Sequence, residues 1–307
     1  MEEPLVSPPP SRGAVALLVP LVLVDSLHFV FARLLLPHVE PVLSASLVLL
    51  LATGQVALYG LATRRIRLEP LRRHWRLFLA IGLCIGVSTA LNYSAVRYID
   101  PGTASMLGKT SVLFSLGLGI FWLGDRFTRL QSLGAAIALL GLAVVTFQPG
   151  DYLRLGSLLV VASTFLYALH AALTKRFRGE LDLLNFFFYR LLATSFFLAL
   201  LALGSRPSVW PQGRAWPLLF LVATVDVLVS RGLYYAVLQR LEMSVFAVGL
   251  TLSPVAAIGW SWLLFRAWPS PPQLLGGLAI LGGVALVSMA PGLERRSARR
   301  RVTEARP

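Results

Sequence analysis

DLLNFFFYRLLATSFFLALLALG, residues 182–204, decides the fold. After Asp182 it carries one formal charge, Arg190, in 22 consecutive positions. At 1.5 Å rise per residue a helix of about 20 residues reaches across the roughly 30 Å hydrocarbon core of a bilayer. Lipid offers no partner to backbone N–H and C=O groups, so a run of this length closes its hydrogen bonds internally as a helix. A membrane strand would need only about ten residues, with alternating polarity.

Comparable runs lie on both sides of it, near 14–36, 40–62, 76–97, 102–123, 129–147 and 155–174 before it, and 215–238, 243–265 and 273–290 after it. With the quoted run they make ten. Of the 307 residues 56% are hydrophobic and 14% charged, where soluble domains carry about 25% charged. Lipid is therefore the solvent for most of the chain. The expected fold is an all-α membrane protein whose ten transmembrane helices form two inverted five-helix repeats.

The formal charge of +14 does not indicate nucleic acid, because the basic residues sit in short loops and in the tail. Arg64, Arg65, Arg67, Arg72, Arg73 and Arg76 fill the loop between the second and third runs, and six more arginines follow Pro291. With ten crossings, 19 basic residues fall on one side and six on the other. The positive-inside rule makes the richer side cytoplasmic, with both termini there, in a multi-pass protein of the inner (plasma) membrane. The first twelve residues are acidic and proline-rich and form no signal peptide, so the first span is expected to stay.

Sliding the chain along itself by 142 residues superposes LNYSAVRYID (91–100) on LYYAVLQRLE (233–242), Gln131 and Gly134 on Gln273 and Gly276, His28 on His170 and Arg33 on Lys175. Five spans is an odd number, so the second copy enters the membrane from the opposite side, a transporter architecture. The expected parts are a tail at 1–12, a first repeat at 13–147, a linker at 148–154, a second repeat at 155–290 and a basic tail at 291–307.

Tyr234-Tyr235-Ala236, Pro254 within the ninth run, Leu123-Gly124-Asp125 closing the fourth, and the Gln-x-x-Gly openings at 131 and 273 resemble the EamA-type transporters of the drug/metabolite transporter superfamily. The resemblance covers about residues 13–290. Val112 stands where the family has a proline, Arg266-Ala267 replaces a glycine-acidic pair, and Val48 lies opposite Arg190. The resemblance implies a central cavity lined by spans one, three, four, six, eight and nine, serving export of metabolites or amino acids.

Charged groups at bilayer depth are costly and default to function. Asp25 and His28, three apart, share one helical face, as do their repeat mates Tyr167 and His170. Lys109, Arg190 and Asp226 lie near mid-depth and Arg231 somewhat beyond, opposite Thr251, Val48, Cys84 and Thr89. Either these groups neutralise one another as buried bridges, Asp25 or Asp226 with Lys109, Arg190 or Arg231, or they line the pathway. Three positive groups against two negative favour a solute with a carboxylate or phosphate. Asp25 beside His28 is a candidate for proton exchange. Asn92, whose amide needs partners, Tyr235, Trp260 and the helix-interrupting Pro254 complete the substrate-binding candidates.

The glycines at 134 and 141, and at 276 and 283, read as packing or homodimer surfaces. No Asp-rich motif, metal-spaced histidine set or phosphate-cradling glycine loop is present in the sequence, and the one cysteine, Cys84, excludes an intrachain disulfide. No enzyme activity, metal or cofactor is expected. The partners expected are a small-molecule solute and membrane lipid. A flippase for a lipid headgroup on the same fold is the competing function.

Overall fold

The computed structural model describes residues 16–123, 128–147, 155–176, 182–205, 210–241, 246 and 249–304, and all regular structure among them is helical. The expected tail at 1–12, the linker at 148–154 and the motif residues Gly124 and Asp125 lie outside the described residues. The helices are α1 (Leu18–Leu35), α2 (Pro41–Ala62), α3 (Glu69–Ala95), α4 (Pro101–Trp122), α5 (Arg129–Thr146), α6 (Leu155–Arg176), α7 (Leu183–Gly204), α8 (Ala215–Leu238), α9 (Ser253–Phe265) and α10 (Pro271–Glu304).

Nine of these helices, or their apolar portions, are long and apolar enough to cross a bilayer. The exception is α9, 13 residues long where a run over 243–265 was expected. Thr251 and Leu252 form a turn ahead of it, and Pro254, lacking an N–H, is tolerated there because the first turn of a helix needs none. The mate of this turn is a break in α4 at Lys109 and Thr110, between a first part, Pro101–Gly108, and a second that starts at Ser111. Both repeats therefore interrupt the same helix at the same place.

Helix ends repeat as well. Thr128 and Gln131 close a reciprocal capping box at the start of α5, and the Ser270 N–H donates to Gln273 Oε1 at the start of α10. The Gln-x-x-Gly openings are thus caps followed by a packing residue: glutamine satisfies an orphan N–H, and glycine faces the neighbouring helix.

The relation between the repeats is visible where mates touch. A methyl carbon added at Gly134 would stand 2.7 Å from the Gly283 carbonyl oxygen, and one at Gly276 would stand 2.7 Å from that of Gly141. Moving seven residues forward on α5 thus moves seven residues back on α10, so the mates run antiparallel, as inversion requires. The glycine faces pack on each other within one chain. In the same way α2 packs on α7 and α4 on α9. Thr53 of α2 and Ser195 of α7, themselves repeat mates, share a hydroxyl hydrogen bond of 2.8 Å.

Large apolar side chains cover the outside, with Phe121 92% exposed. Such a surface would be a defect in water and is ordinary in lipid. Trp210, Trp216 and Trp268, all exposed, lie in or beside the loops before α8 and α10, and Trp75 lies near the start of α3. These are the positions of interface anchors.

Candidate functional site

Local departures from regular helix aim the polar side chains of the interior at one another. The bond that closes the first half of α4 spans three residues instead of four, from the Lys109 N–H to the Met106 carbonyl at 3.2 Å. It sets Lys109 at the break, with Nζ 3.5 Å from Asp25 Oδ2 on α1. Asp25 precedes a second interruption at Ser26, between Leu18–Asp25 and Leu27–Leu35. The Ser253 hydroxyl, at the start of α9, donates to the Leu250 carbonyl at 3.0 Å and lies near the Asp25 carboxylate. Both interrupted mates, α4 and α9, thus converge on one carboxylate.

In α8 a π-helical stretch, Ala223–Val229, replaces the α geometry. Such bulges shift side-chain register and recur at functional sites. It carries Asp226, buried, whose Oδ2 lies 2.9 Å from Nδ1 of His28. The His28 ring sits edge-on to Tyr93, with centroids 5.9 Å apart. Asp25 and Lys109 keep 24% and 20% of their side-chain surface uncovered, and His28 keeps 33%. Charged groups with open surface at bilayer depth face water rather than hydrocarbon.

Of the anticipated bridges, that of Asp25 with Lys109 forms, whereas Asp226 pairs with His28 rather than with a lysine or an arginine. Among the described residues, neither Arg190 nor Arg231 forms an ion pair. The Arg190 guanidinium lies 5.2 Å from the Phe187 ring centre and that of Arg231 lies 5.8 Å from the Tyr234 ring centre. The two arginines lie within electrostatic reach of each other, Arg231 is also within reach of Asp25, Asp226 and Tyr167, and Arg190 is within reach of Tyr167 and Tyr235. Tyr167 and His170 meet edge-on with ring centroids 4.5 Å apart, and both arginines lie within electrostatic reach of His170.

One connected cluster therefore gathers Asp25, His28, Lys109, Tyr167, His170, Arg190, Asp226, Arg231 and Tyr235 from α1, α4, α6, α7 and α8. Several buried polar atoms have no hydrogen-bond partner: Asn92 Oδ1, Tyr93 Oη, His170 Nδ1 and Trp260 Nε1. Buried donors and acceptors are seldom left unpaired, which makes these groups available to a ligand or water. Among the described residues, neither Trp260 nor Pro254 forms a hydrogen bond with the charged cluster. Pro254 is the immediate neighbour of Ser253. Tyr93, Tyr234 and Ser253 were not among the expected site residues. The signal for Tyr93 was its register, since it is the repeat mate of Tyr235.

Comparison with known proteins gives the same organisation. The sequence pattern of the EamA-like transporter family matches residues 12–147 and again 154–289, two copies whose starts are 142 residues apart. The "Probable amino-acid metabolite efflux pump" of Escherichia coli (strain K12) is 27% identical over 288 residues, covering 89% of this chain and 93% of the relative. The "Probable terminal-alkyne amino-acid exporter" of Streptantibioticus cattleyicolor is 30% identical over 217 residues, 68% of this chain and 70% of the relative. A solved crystal structure superposes with a TM-score of 0.63 at 22% identity over 91% of this chain and 98% of its own, a likeness of fold. With two full family matches on the two halves of a broken-helix bundle, the chain belongs to the EamA-like transporter family.

Proposed function

We propose that this chain is a secondary transporter that exports a small carboxylate-bearing metabolite, an amino acid or an organic anion, by alternating access. The proposal sets it in the inner membrane with both termini in the cytoplasm, the side that holds most of the arginines. The observation that carries the reading is the pair of guanidiniums, Arg190 and Arg231, neither of them in an ion pair among the described residues, inside a cluster whose acids pair with Lys109 and His28. Guanidinium groups match carboxylates in a fork geometry, and three cations against two acids leave the cluster with an excess of positive charge that an anion would offset. An amino group on the same solute would find Asp25 or Asp226 nearby. Two relatives are named for export of amino acids or their metabolites, which agrees with that chemistry. Interrupted helices at matching positions of two inverted repeats are where transporters of this architecture hold substrate.

The test is a thermal-shift screen of purified protein against amino acids, dicarboxylates, phosphorylated metabolites and amines, repeated with Arg190→Gln and Lys109→Ala. The expected outcome is stabilisation by one or more carboxylates that disappears in Arg190→Gln. Stabilisation by amines alone overturns the anionic assignment. Counterflow in proteoliposomes then separates carrier from flippase: movement of labelled lipid with no exchange of any soluble solute overturns the carrier.

A further inference from the structure

Away from the central cluster, on the arginine-rich side, a cavity of about 560 Å³ opens between the α2–α3 loop and the start of α7. Arg64, Arg65, Arg67 and Arg73 line it, against the carboxylates of Glu69 and Asp182. Arginines that only set topology need no fixed arrangement. These sit on a loop that buried side chains of α7 hold in place.

Asn185 accepts a hydrogen bond from the Arg67 N–H at 2.8 Å and donates to the Arg65 carbonyl at 3.1 Å. Tyr189 donates to the Arg67 carbonyl at 2.7 Å. Both residues are 2% exposed. Ile66 plugs the surface of Gly60, leaving no room for a side chain there. The end of α2 is closed by bonds from the Arg64 N–H to Leu61 and from the Arg65 N–H to Gly60. This puts Arg64 at φ 53°, a left-handed position ordinarily given to glycine. The backbone thus fixes the roots of three neighbouring guanidinium side chains.

The depth of the cavity is given by its surroundings. Leu68 and Trp75 are exposed beside it, and Arg76 lies over the Trp75 ring. Exposed tryptophan next to arginine marks the headgroup level of a bilayer. Basic pockets between helices at that level bind phosphate-bearing headgroups. The volume exceeds what one phosphate fills and falls in the range of small-molecule sites, about 300–1,000 Å³.

We propose that this cavity is a binding site for the phosphodiester headgroup of an anionic phospholipid in the adjacent leaflet, held by Arg64, Arg65, Arg67 and Arg73. It is independent of the carrier reading, because its readout is lipid retention and not transport.

Native mass spectrometry of the purified chain in an uncharged detergent, titrated separately with phosphatidylglycerol, phosphatidylcholine and inorganic phosphate, tests it. One phosphatidylglycerol is expected to bind more tightly than phosphatidylcholine. Its affinity falls about thirtyfold in Arg64→Gln/Arg67→Gln, at about 1 kcal/mol per arginine lost. Arg129→Gln/Arg240→Gln, the same charge change elsewhere on that side, leaves it unaltered. Equal losses in the two double variants mean diffuse charge attraction and overturn the site. Binding of inorganic phosphate as tight as that of the lipid overturns the headgroup assignment in favour of a free anion. If the glutamine pair does not fold, Arg64→Lys/Arg67→Lys keeps the charge but loses the fork geometry, and lipid affinity equal to that of the unmutated chain then overturns the proposal.

Discussion

The α5–α10 seam and the polar seam of α1, α4 and α8 belong to the same pair of repeats and use the duplication in opposite ways. At the first, the glycine-on-glycine contacts have rotated copies: Gly134 on Gly283 is answered by Gly276 on Gly141. At the second, neither ion pair is answered. Lys109 faces Asp25 while its mate is Thr251, and Asp226 meets His28 while its mate is Cys84. Packing that must hold the halves together gains from being used twice. Recognition of a solute with two chemically different ends does not, since a symmetric site would present the same charge to both.

The sharpest way to break this comparison is to fill the glycine seam. Gly141→Leu drives a side chain into the backbone of α10 with no flexible neighbour to yield, a cost of about 3 kcal/mol or more. Loss of monodisperse protein on size exclusion is expected, and Gly283→Leu should match it. A clear inequality between the two would show that the seam is less symmetric than its contacts.

The polar seam should respond differently. Lys109→Ala strands Asp25, and a buried pair broken this way costs about 3–5 kcal/mol, reduced to about 2 kcal/mol here by partial exposure. In the double variant Asp25→Asn/Lys109→Ala, stability measured by thermal melting in detergent should recover part of that loss while transport stays absent. Full recovery of transport would make the pair a packing device only.

Smaller effects sharpen the same contrast. Gln131→Ala and Gln273→Ala each remove a cap bond at corresponding helix starts and should lower stability equally, by about 1 kcal/mol. Arg266 ends α9 at φ 54°, and its mate is Gly124. Arg266→Gly relieves left-handed strain but gives up the contact with Trp262, for a net gain of about 0.5 kcal/mol. A melting temperature lowered by this change would mean that the ring contact outweighs the strain.

Helix number, repeat spacing and the glycine faces were legible because each rests on a property the sequence carries locally: run length, register and small size. The shortness of α9 was less so, since the apolar run continues through the turn at Thr251–Leu252 and only Pro254 hints at a stop. The pairing of the charges was not legible. Depth along a helix says which groups are level, but which of them face each other depends on rotation, and in α8 a π-helical stretch resets that rotation without any residue announcing it. For the same reason Asp25 was matched with any of three cations, and the partner of Asp226 proved to be a histidine. The glycine stripes likewise named a contact surface without naming its occupant, which the structure supplies as the other repeat.

The hydroxyl bond between Thr53 and Ser195 has one more implication. It joins a residue to its own counterpart, so it straddles the rotation axis that exchanges the two halves. If the inward- and outward-open forms are images of each other under that rotation, a point on the axis is carried onto itself. That bond would then be the stationary axle of the cycle, keeping its length while Lys109 and Asp25, lying off the axis, exchange environments.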